Sequence, residues 1–248
     1  MKIIASYSNK GGVGKTASSV NLAYAFAKAG RRTLLCDLDP QGASSFYFRV
    51  KPSKKLQEQA FFSDVKRFTS AIRASDYDNL DLLPANMTFR DFDIFLSRMR
   101  NSRSRLKKAL KSVGSDYDIV ILDCPPNISL LSESVFKCSD LILVPVIPTT
   151  LSERTLAQLY QFFDQHGHKK KKLLPYFSMV QQQKKLHRET IKRLSRQYKN
   201  ALPNEIPFSS DIEKMGVHRA PVATFARSRS SAKAYSALHK AIDKRLFK

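Results

Sequence analysis

The 248-residue sequence contains no tryptophan, only three cysteines and no long apolar run. Cys36, Cys124 and Cys138 lie in or beside short apolar stretches without CxxC spacing or a nearby histidine cluster, a pattern typical of buried, reduced thiols. No stretch reaches the ~18 apolar residues that span a bilayer, and polar residues interrupt the N-terminus too early for a secretory signal. We therefore expect a cytoplasmic protein.

Acidic residues are also scarce. The sequence has 21 Asp and Glu and 43 Lys and Arg, which leaves a formal net charge of +22. Solubility alone requires a net charge of only ~2 to 8 in a small domain. A chain this basic attracts polyanions, so nucleic acid is the first partner to consider and an anionic membrane surface the second. General solubility remains the simpler explanation of the charge.

Short apolar runs alternate with helical patterns, which indicates repeated βαβ units. The chain length fits one large domain, residues 1–248, better than two small ones. The fold predicted is α/β, a single-domain, mainly parallel twisted sheet flanked by helices. Strands are predicted at residues 2–8, 33–37, 80–83, 119–123, 141–146 and 173–179. Helices are predicted at residues 15–29, 87–113, 151–165 and 185–199.

The strongest motif is NKGGVGKT at residues 9–16, where an apolar strand ends and a helix begins. Glycines let consecutive N–H groups turn toward one anion, and the helix N-terminus adds the positive end of its dipole. In a P-loop, Lys15 reaches the β- and γ-phosphates and the Thr16 hydroxyl binds Mg²⁺. The alternative is a glycine-rich turn followed by GKT by chance.

A strict P-loop would have glycine where this chain has Asn9, and an additional lysine, Lys10, precedes the double glycine. This arrangement resembles the deviant Walker A motif of the ParA/MinD family, and in particular small ParA/Soj-type proteins. LLCDLDPQG at residues 34–42 resembles the second family motif, and IVILDCPP at residues 119–126 resembles its Walker B motif. Residues 206–235 are similar to the family's final segment, so the resemblance covers essentially the whole chain.

The resemblance implies an ATP hydrolase that uses ATP and Mg²⁺. It implies that Lys10 reaches the partner subunit's nucleotide, Asp39 positions the attacking water, and Lys10, Lys15 and Asp39 are catalytic. Asp123 would orient the waters around the metal, and Asp37 would support the site. The nucleotide-binding residues implied are Lys10, Gly11, Gly12, Val13, Gly14, Lys15, Thr16, Ala17, Met179 and Pro207, and the metal-binding ones are Thr16, Asp123 and Asp37. For Asp39 and Asp123, a solvated or capping acid at a strand end is the alternative.

The chain departs from the family at three positions. Ala17 replaces a second threonine common in relatives, which removes a hydroxyl but keeps the backbone N–H. Phe208 and Asp211 stand where relatives often carry arginines, so DNA contacts made by those arginines do not transfer.

The resemblance implies a homodimer in the ATP-bound state, non-specific binding to nucleoid DNA, and a ParB-like or cargo-adaptor protein that stimulates slow hydrolysis. The first predicted strand starts at residue 2, so we expect no N-terminal DNA-reading domain. The basic residues considered as DNA contacts are Lys185, Arg188, Lys192, Arg196 and Lys199, which share one helix face, and Arg219, Arg227 and Arg229. For each of these residues, the alternative is a solvated surface charge that does not contact DNA.

Three other functions stay open. A MinD-like membrane-cycling ATPase would need an amphipathic targeting helix, and Tyr235, Leu238, Ile242 and Leu246 do form an apolar stripe, although packing onto the domain explains it better. A metabolic P-loop enzyme similar to dethiobiotin synthetase leaves the charge unexplained, and one similar to nitrogenase reductase needs cysteines that bridge an iron–sulfur cluster, whereas neither Cys124 nor Cys138 lies in a loop context that suggests one. A non-catalytic DNA-binding protein has no use for the phosphate motif.

Overall fold

The computed structural model describes residues 1–52 and 58–247. Its strands are β1 Lys2–Ser6, β2 Thr33–Asp37, β3 Arg73–Ala74, β4 Leu80–Leu83, β5 Ile119–Asp123, β6 Leu141–Val146, β7 Leu173–Val180 and β8 Glu205–Pro207. They form one sheet in the order β3-β4-β2-β5-β1-β6-β7-β8, in which β3 pairs antiparallel with β4 and every other pairing is parallel. The predicted α/β fold with a mainly parallel sheet is confirmed.

Helices cover both faces of this sheet, which explains why β2, β5 and β6 are buried along their whole length. The α-helices are α1 Lys15–Lys28, α2 Ala43–Tyr47, α3 Glu58–Ser63, α4 Val65–Ser70, α5 Phe92–Ser97, α6 Ser102–Lys111, α7 Leu130–Cys138, α8 Thr150–Gln165, α9 Lys185–Gln197, α10 Ser210–Glu213, α11 Met215–His218, α12 Val222–Phe225 and α13 Ser230–Leu246. Short 3-10 helices occupy Met87–Asp91 and Lys170–Lys172.

Two apolar cores separate the helices into two layers. On one face of the sheet, side chains from α3 to α9 pack together, including Phe136 of α7, Phe163 of α8 and Leu194 of α9. We call these helices the α3–α9 layer. On the other face, Phe26 of α1 packs with Leu238 of α13, and we call that side the α1–α13 layer.

The apolar stripe near the C-terminus belongs to the second core. Tyr235, Leu238 and Ile242 are buried there, and Leu246 packs against the same cluster. The stripe is therefore part of the domain core, as the packing interpretation predicted. Within the described residues, no helix combines the length and apolar character needed to cross a membrane.

The predicted helix at residues 87–113 is wrong as a single element. A 3-10 helix at Met87–Asp91 leads into α5, and Asn101, with φ 57°, separates α5 from α6. The left-handed backbone at Asn101 cannot continue an α-helix. Neither β3 nor β8 was predicted, because each has only two or three residues.

Candidate functional site

The predicted phosphate loop and both predicted metal-site carboxylates meet at one edge of the sheet. Ser6, the last residue of β1, lies beside Asp123 at the end of β5, and Asp123 lies beside Asp37 at the end of β2. The loop at residues 7–14 leaves β1 at this edge and enters α1. The carboxyl edge of an open α/β sheet is where such folds bind ligands.

Backbone geometry explains the glycines of this loop. Gly12 has φ 68°, and Gly14, directly before α1, has φ 93°. A Cβ atom on Gly14 would also lie 2.9 Å from the Ser178 hydroxyl oxygen at the end of β7. Gly14 therefore meets two requirements, a left-handed backbone and close approach to a neighbouring strand.

The loop presents a row of backbone donors. Within the residues that the structure describes, no acceptor lies in hydrogen-bond geometry with the N–H groups of residues 11–17. Lys15 is buried, and its ammonium donates to the carbonyl oxygen of Lys10 at 3.1 Å. Burial lowers the pKa of Lys15, while the nearby Asp123 opposes that shift. Free N–H groups around one lysine at a helix N-terminus fit a phosphate chain.

Hydroxyl groups surround the two buried carboxylates below the loop. Asp123 accepts from Ser44 at 2.7 Å and from Ser19 at 3.1 Å. Asp37 accepts from the backbone N–H and hydroxyl of Ser45 at 2.8 and 2.7 Å, whereas its buried Oδ1 atom has no hydrogen-bond partner among the described residues.

The electrostatics of this pair favour a cation. Burial raises the pKa of Asp123, and hydrogen bonds from Ser44, Thr16 and Ser19 oppose that rise. Burial, reinforced by the charge of Asp123, raises the pKa of Asp37 above its usual range. Within the described residues no three acidic, histidine or cysteine side chains cluster as metal ligands. One or two carboxylates with a hydroxyl are nevertheless typical of Mg²⁺ sites completed by a nucleotide.

The predicted catalytic residues Lys10 and Asp39 border this site. The Lys10 ammonium lies 3.3 Å from the hydroxyl of Ser152, a buried residue of α8 in the same chain. Asp39 is half-buried in the loop after β2, where its carboxylate accepts from the N–H of Gln41 at 3.0 Å. Lys10 is half-buried as well.

Met179 and Pro207, the residues expected near the base of the nucleotide, lie at the same edge. Met179 is next to the end of β7 and has φ 53°, and Pro207 ends β8, where it pairs with Val180. Both residues are half-buried. Ser178, which limits the space at Gly14, connects this end of the edge with the phosphate loop.

The predicted DNA contacts lie on elements of both layers. Lys185, Arg188, Lys192 and Arg196 are exposed on α9 in the α3–α9 layer, and Lys199 is exposed just beyond it. Arg219, Arg227 and Arg229 belong to the segment that enters the α1–α13 layer.

Arg219 is also engaged within the fold. Its guanidinium carbon lies 4.5 Å from the centre of the Phe46 ring, and its Nε donates to the Phe46 carbonyl at 3.0 Å. These contacts explain its presence without any nucleic acid, whereas Arg227 and Arg229 are exposed.

Sequence reasoning missed four serines of the site. Ser19, Ser44 and Ser45 bind the two carboxylates, and Ser152 contacts Lys10. Ser44 and Ser45 lie two and three residues after the end of the LLCDLDPQG motif at Gly42, so their position was a usable signal. Ser152 is distant in sequence, and no local pattern marks it.

The sequence pattern of the AAA domain family matches residues 1–175. The sporulation initiation inhibitor protein Soj of Bacillus subtilis is 38% identical over 148 residues, 58% of this chain and 58% of that protein. The chain thus spans well under two thirds of that relative's length. The chromosome-partitioning ATPase Soj of Treponema pallidum is 26% identical over 246 residues, 97% of this chain and 96% of that protein.

Among solved structures, cobyrinic acid a,c-diamide synthase from Mycobacterium smegmatis, with a bound ATP analog and magnesium, has a TM-score of 0.81. It is 25% identical, and the match covers 100% of this chain and 97% of that chain. The same architecture is therefore found in an enzyme named for a small-molecule product.

Proposed function

The chain belongs to the AAA domain family, and on that premise we propose that it is a dimerising ATPase that positions or segregates a cargo. It uses ATP and Mg²⁺, binds DNA without sequence preference in its ATP-bound dimeric form, and is switched by a partner protein that stimulates slow hydrolysis. The cargo is a plasmid, a chromosome or a protein compartment, and the protein works in the cytoplasm on the nucleoid.

The observation that carries the proposal is that the phosphate loop and two buried carboxylates lie together at the carboxyl edge of the sheet. Seven consecutive N–H groups without an acceptor among the described residues, together with Lys15, supply positive charge for a triphosphate. Asp123 and Asp37 supply negative charge and an unpaired oxygen for a cation. Such adjacent anion and cation sites suit a metal-bound nucleotide better than either ligand alone.

Each residue has a distinct role in this proposal. Residues 10–17 bind the phosphates, Thr16 and Asp123 hold the cation, and Asp37 supports them from the neighbouring strand. Mg²⁺, when bound, neutralises charge on the phosphate oxygens. Asp39 orients the attacking water, and Lys10 completes the site of a second subunit.

Net charge favours a positioning ATPase over a metabolic enzyme. The formal charge of +22 suits a protein that must hold a polyanion, whereas a small-molecule enzyme has no use for it. The similarity to two Soj proteins supports the same choice. Burial of the apolar α13 stripe argues against membrane cycling as the alternative.

Replacing Asp39 tests the ATPase. Asp39→Asn keeps an oxygen that can accept from Gln41 N–H but removes the charge, so we expect ATP binding to persist while turnover falls by about 10²-fold or more. Asp78→Asn, an exposed acid before β4, is the matched control. Unchanged turnover would remove Asp39 from the mechanism, and ATP affinity retained in Lys15→Ala would refute the nucleotide site itself.

A further inference from the structure

A second concentration of positive charge lies at the opposite edge of the sheet from the phosphate loop. A cleft of about 460 Å³ opens where β6 and β7 begin, bordered by the ends of α7 and α13 and by α6. Its cationic lining consists of Lys107, Lys137, Lys169, Lys171, Lys172 and Arg245. β6 alone separates the two edges by roughly 20 Å at ~3.3 Å per residue.

These six cations lack local neutralisation. Within the described part of the chain, none of them forms an ion pair. Asp140 is the one acidic side chain in the lining, and its Oδ2 already accepts from the N–H of Ile3 at 2.8 Å. The cleft therefore has an excess of five positive charges, and a bound anion would offset their mutual repulsion.

The charges act on one another across the cleft. The Lys172 ammonium donates to the carbonyl oxygens of Phe136 and Lys137, at 3.1 and 3.4 Å, and so is held at the end of α7. Burial lowers the pKa of Lys172, the nearby Cys138 and Asp140 oppose that shift, and the charges of Lys169 and Lys107 add to it. The fold therefore holds a half-buried cation among like charges.

We propose that this cleft binds a compact anion carrying several phosphate groups, at a site independent of the nucleotide site. Its volume lies within the ~300 to 1,000 Å³ of small-molecule sites and exceeds the need of a single phosphate. Lysines from separate elements converge on a concave space, which suits a compact ligand. A duplex suits a convex track such as the exposed face of α9 better.

The test compares two double variants of equal charge. Lys107→Gln/Lys171→Gln removes two exposed cleft cations. Lys108→Gln/Lys170→Gln removes their neighbours on the same two elements, which do not line the cleft. Calorimetric titration uses the full chain with saturating ADP and, as probes, inorganic tripolyphosphate, inositol hexakisphosphate and orthophosphate. Because both variants keep the phosphate loop, any difference between them reports on the cleft even if the ATPase proposal fails.

We expect wild type and the control to bind tripolyphosphate or inositol hexakisphosphate at least tenfold more tightly than orthophosphate, and the cleft variant to lose at least tenfold. Whichever of these two probes binds more tightly shows whether the cleft prefers a linear polyphosphate or a phosphorylated ring. A second cleft variant, Lys169→Gln/Arg245→Gln, should show the same loss. Equal binding by cleft and control variants would overturn the proposal. Random-sequence duplex DNA is titrated in the same way, and a loss confined to it would overturn the proposal in favour of a nucleic-acid surface.

Discussion

At the scale of single residues, the most telling feature is a pair of buried acids that form no ion pair within the described part of the chain. Asp37 and Asp123 are 0% and 1% exposed and occupy neighbouring strand ends. Lys15 is the nearby base, but its ammonium donates to a backbone carbonyl. Two neighbouring buried carboxylates destabilise a fold when both are charged, so a role in ligand binding accounts for their position.

Replacing Asp37 by Asn should stabilise the protein at neutral pH. A carboxyl group whose pKa is higher in the folded than in the unfolded state binds more protons when folded, so stability falls as pH rises past the unfolded value. We expect Asp37→Asn to raise the free energy of unfolding by about 1 to 3 kcal/mol at pH 7.5.

The stability that Asp37→Asn gains over wild type should shrink as pH falls and vanish near pH 3, where Asp37 of the wild type is protonated in both the folded and the unfolded state. Denaturant unfolding at several pH values measures it, with Asp78→Asn as the exposed control. An Asp37→Asn protein less stable than wild type at pH 7.5 would show that the carboxylate is already compensated in the fold.

At the scale of elements, strand ends were easier to predict than helix ends. The strands at Thr33–Asp37, Ile119–Asp123 and Leu141–Val146 were predicted at their observed bounds, since continuous apolar runs mark strands buried on both faces. β3 carries no such mark because both of its residues are exposed. The helix break at Asn101 depends on one backbone angle, which no periodicity reveals.

The site divides in the same way. The phosphate loop and Asp123 follow from local motifs at strand ends. The Lys10–Ser152 contact spans 142 positions, and the division of the basic residues between two layers depends on sheet topology, so neither follows from spacing alone.

Because the basic residues lie in two layers, we can predict which element binds DNA. α9 exposes several basic side chains and one acid, Glu189, which pairs with Lys185, whereas Arg227 and Arg229 share their pocket with Asp211. We expect Lys192→Gln/Arg196→Gln to weaken binding to random duplex DNA and to reduce the salt slope by about 0.9 for each DNA phosphate that the variant no longer neutralises.

Arg227→Gln/Arg229→Gln removes the same charge from the other layer and serves as the matched comparison. Fluorescence anisotropy across a salt series measures both variants. A larger loss of affinity in the Arg227/Arg229 variant would assign the DNA surface to the α1–α13 layer instead.

At the scale of the whole molecule, association should depend on Lys10. Its ammonium contacts Ser152 within one chain, so reaching a second subunit requires exchange of that contact for a phosphate. We expect Lys10→Ala to bind ATP as a monomer but to form an ATP-dependent dimer at least tenfold more weakly, by sedimentation. Lys28→Ala, an exposed lysine at the end of α1, is the control. A dimer of unchanged strength in Lys10→Ala would exclude this role.

Dimerisation links nucleotide state to DNA affinity in this account. Two basic subunits joined by ATP present two phosphate-binding surfaces at high effective concentration, so affinity rises without any new type of contact. Dissociation of the dimer after hydrolysis then releases the DNA.

The most direct test of the central claim is a titration of random-sequence duplex DNA with ATP, ADP or no nucleotide, repeated across salt concentrations. The account predicts tight binding only with ATP, with log affinity falling linearly with log salt. Equal binding in all three nucleotide states would contradict it, because the phosphate loop would then not control the partner that the basic surface holds.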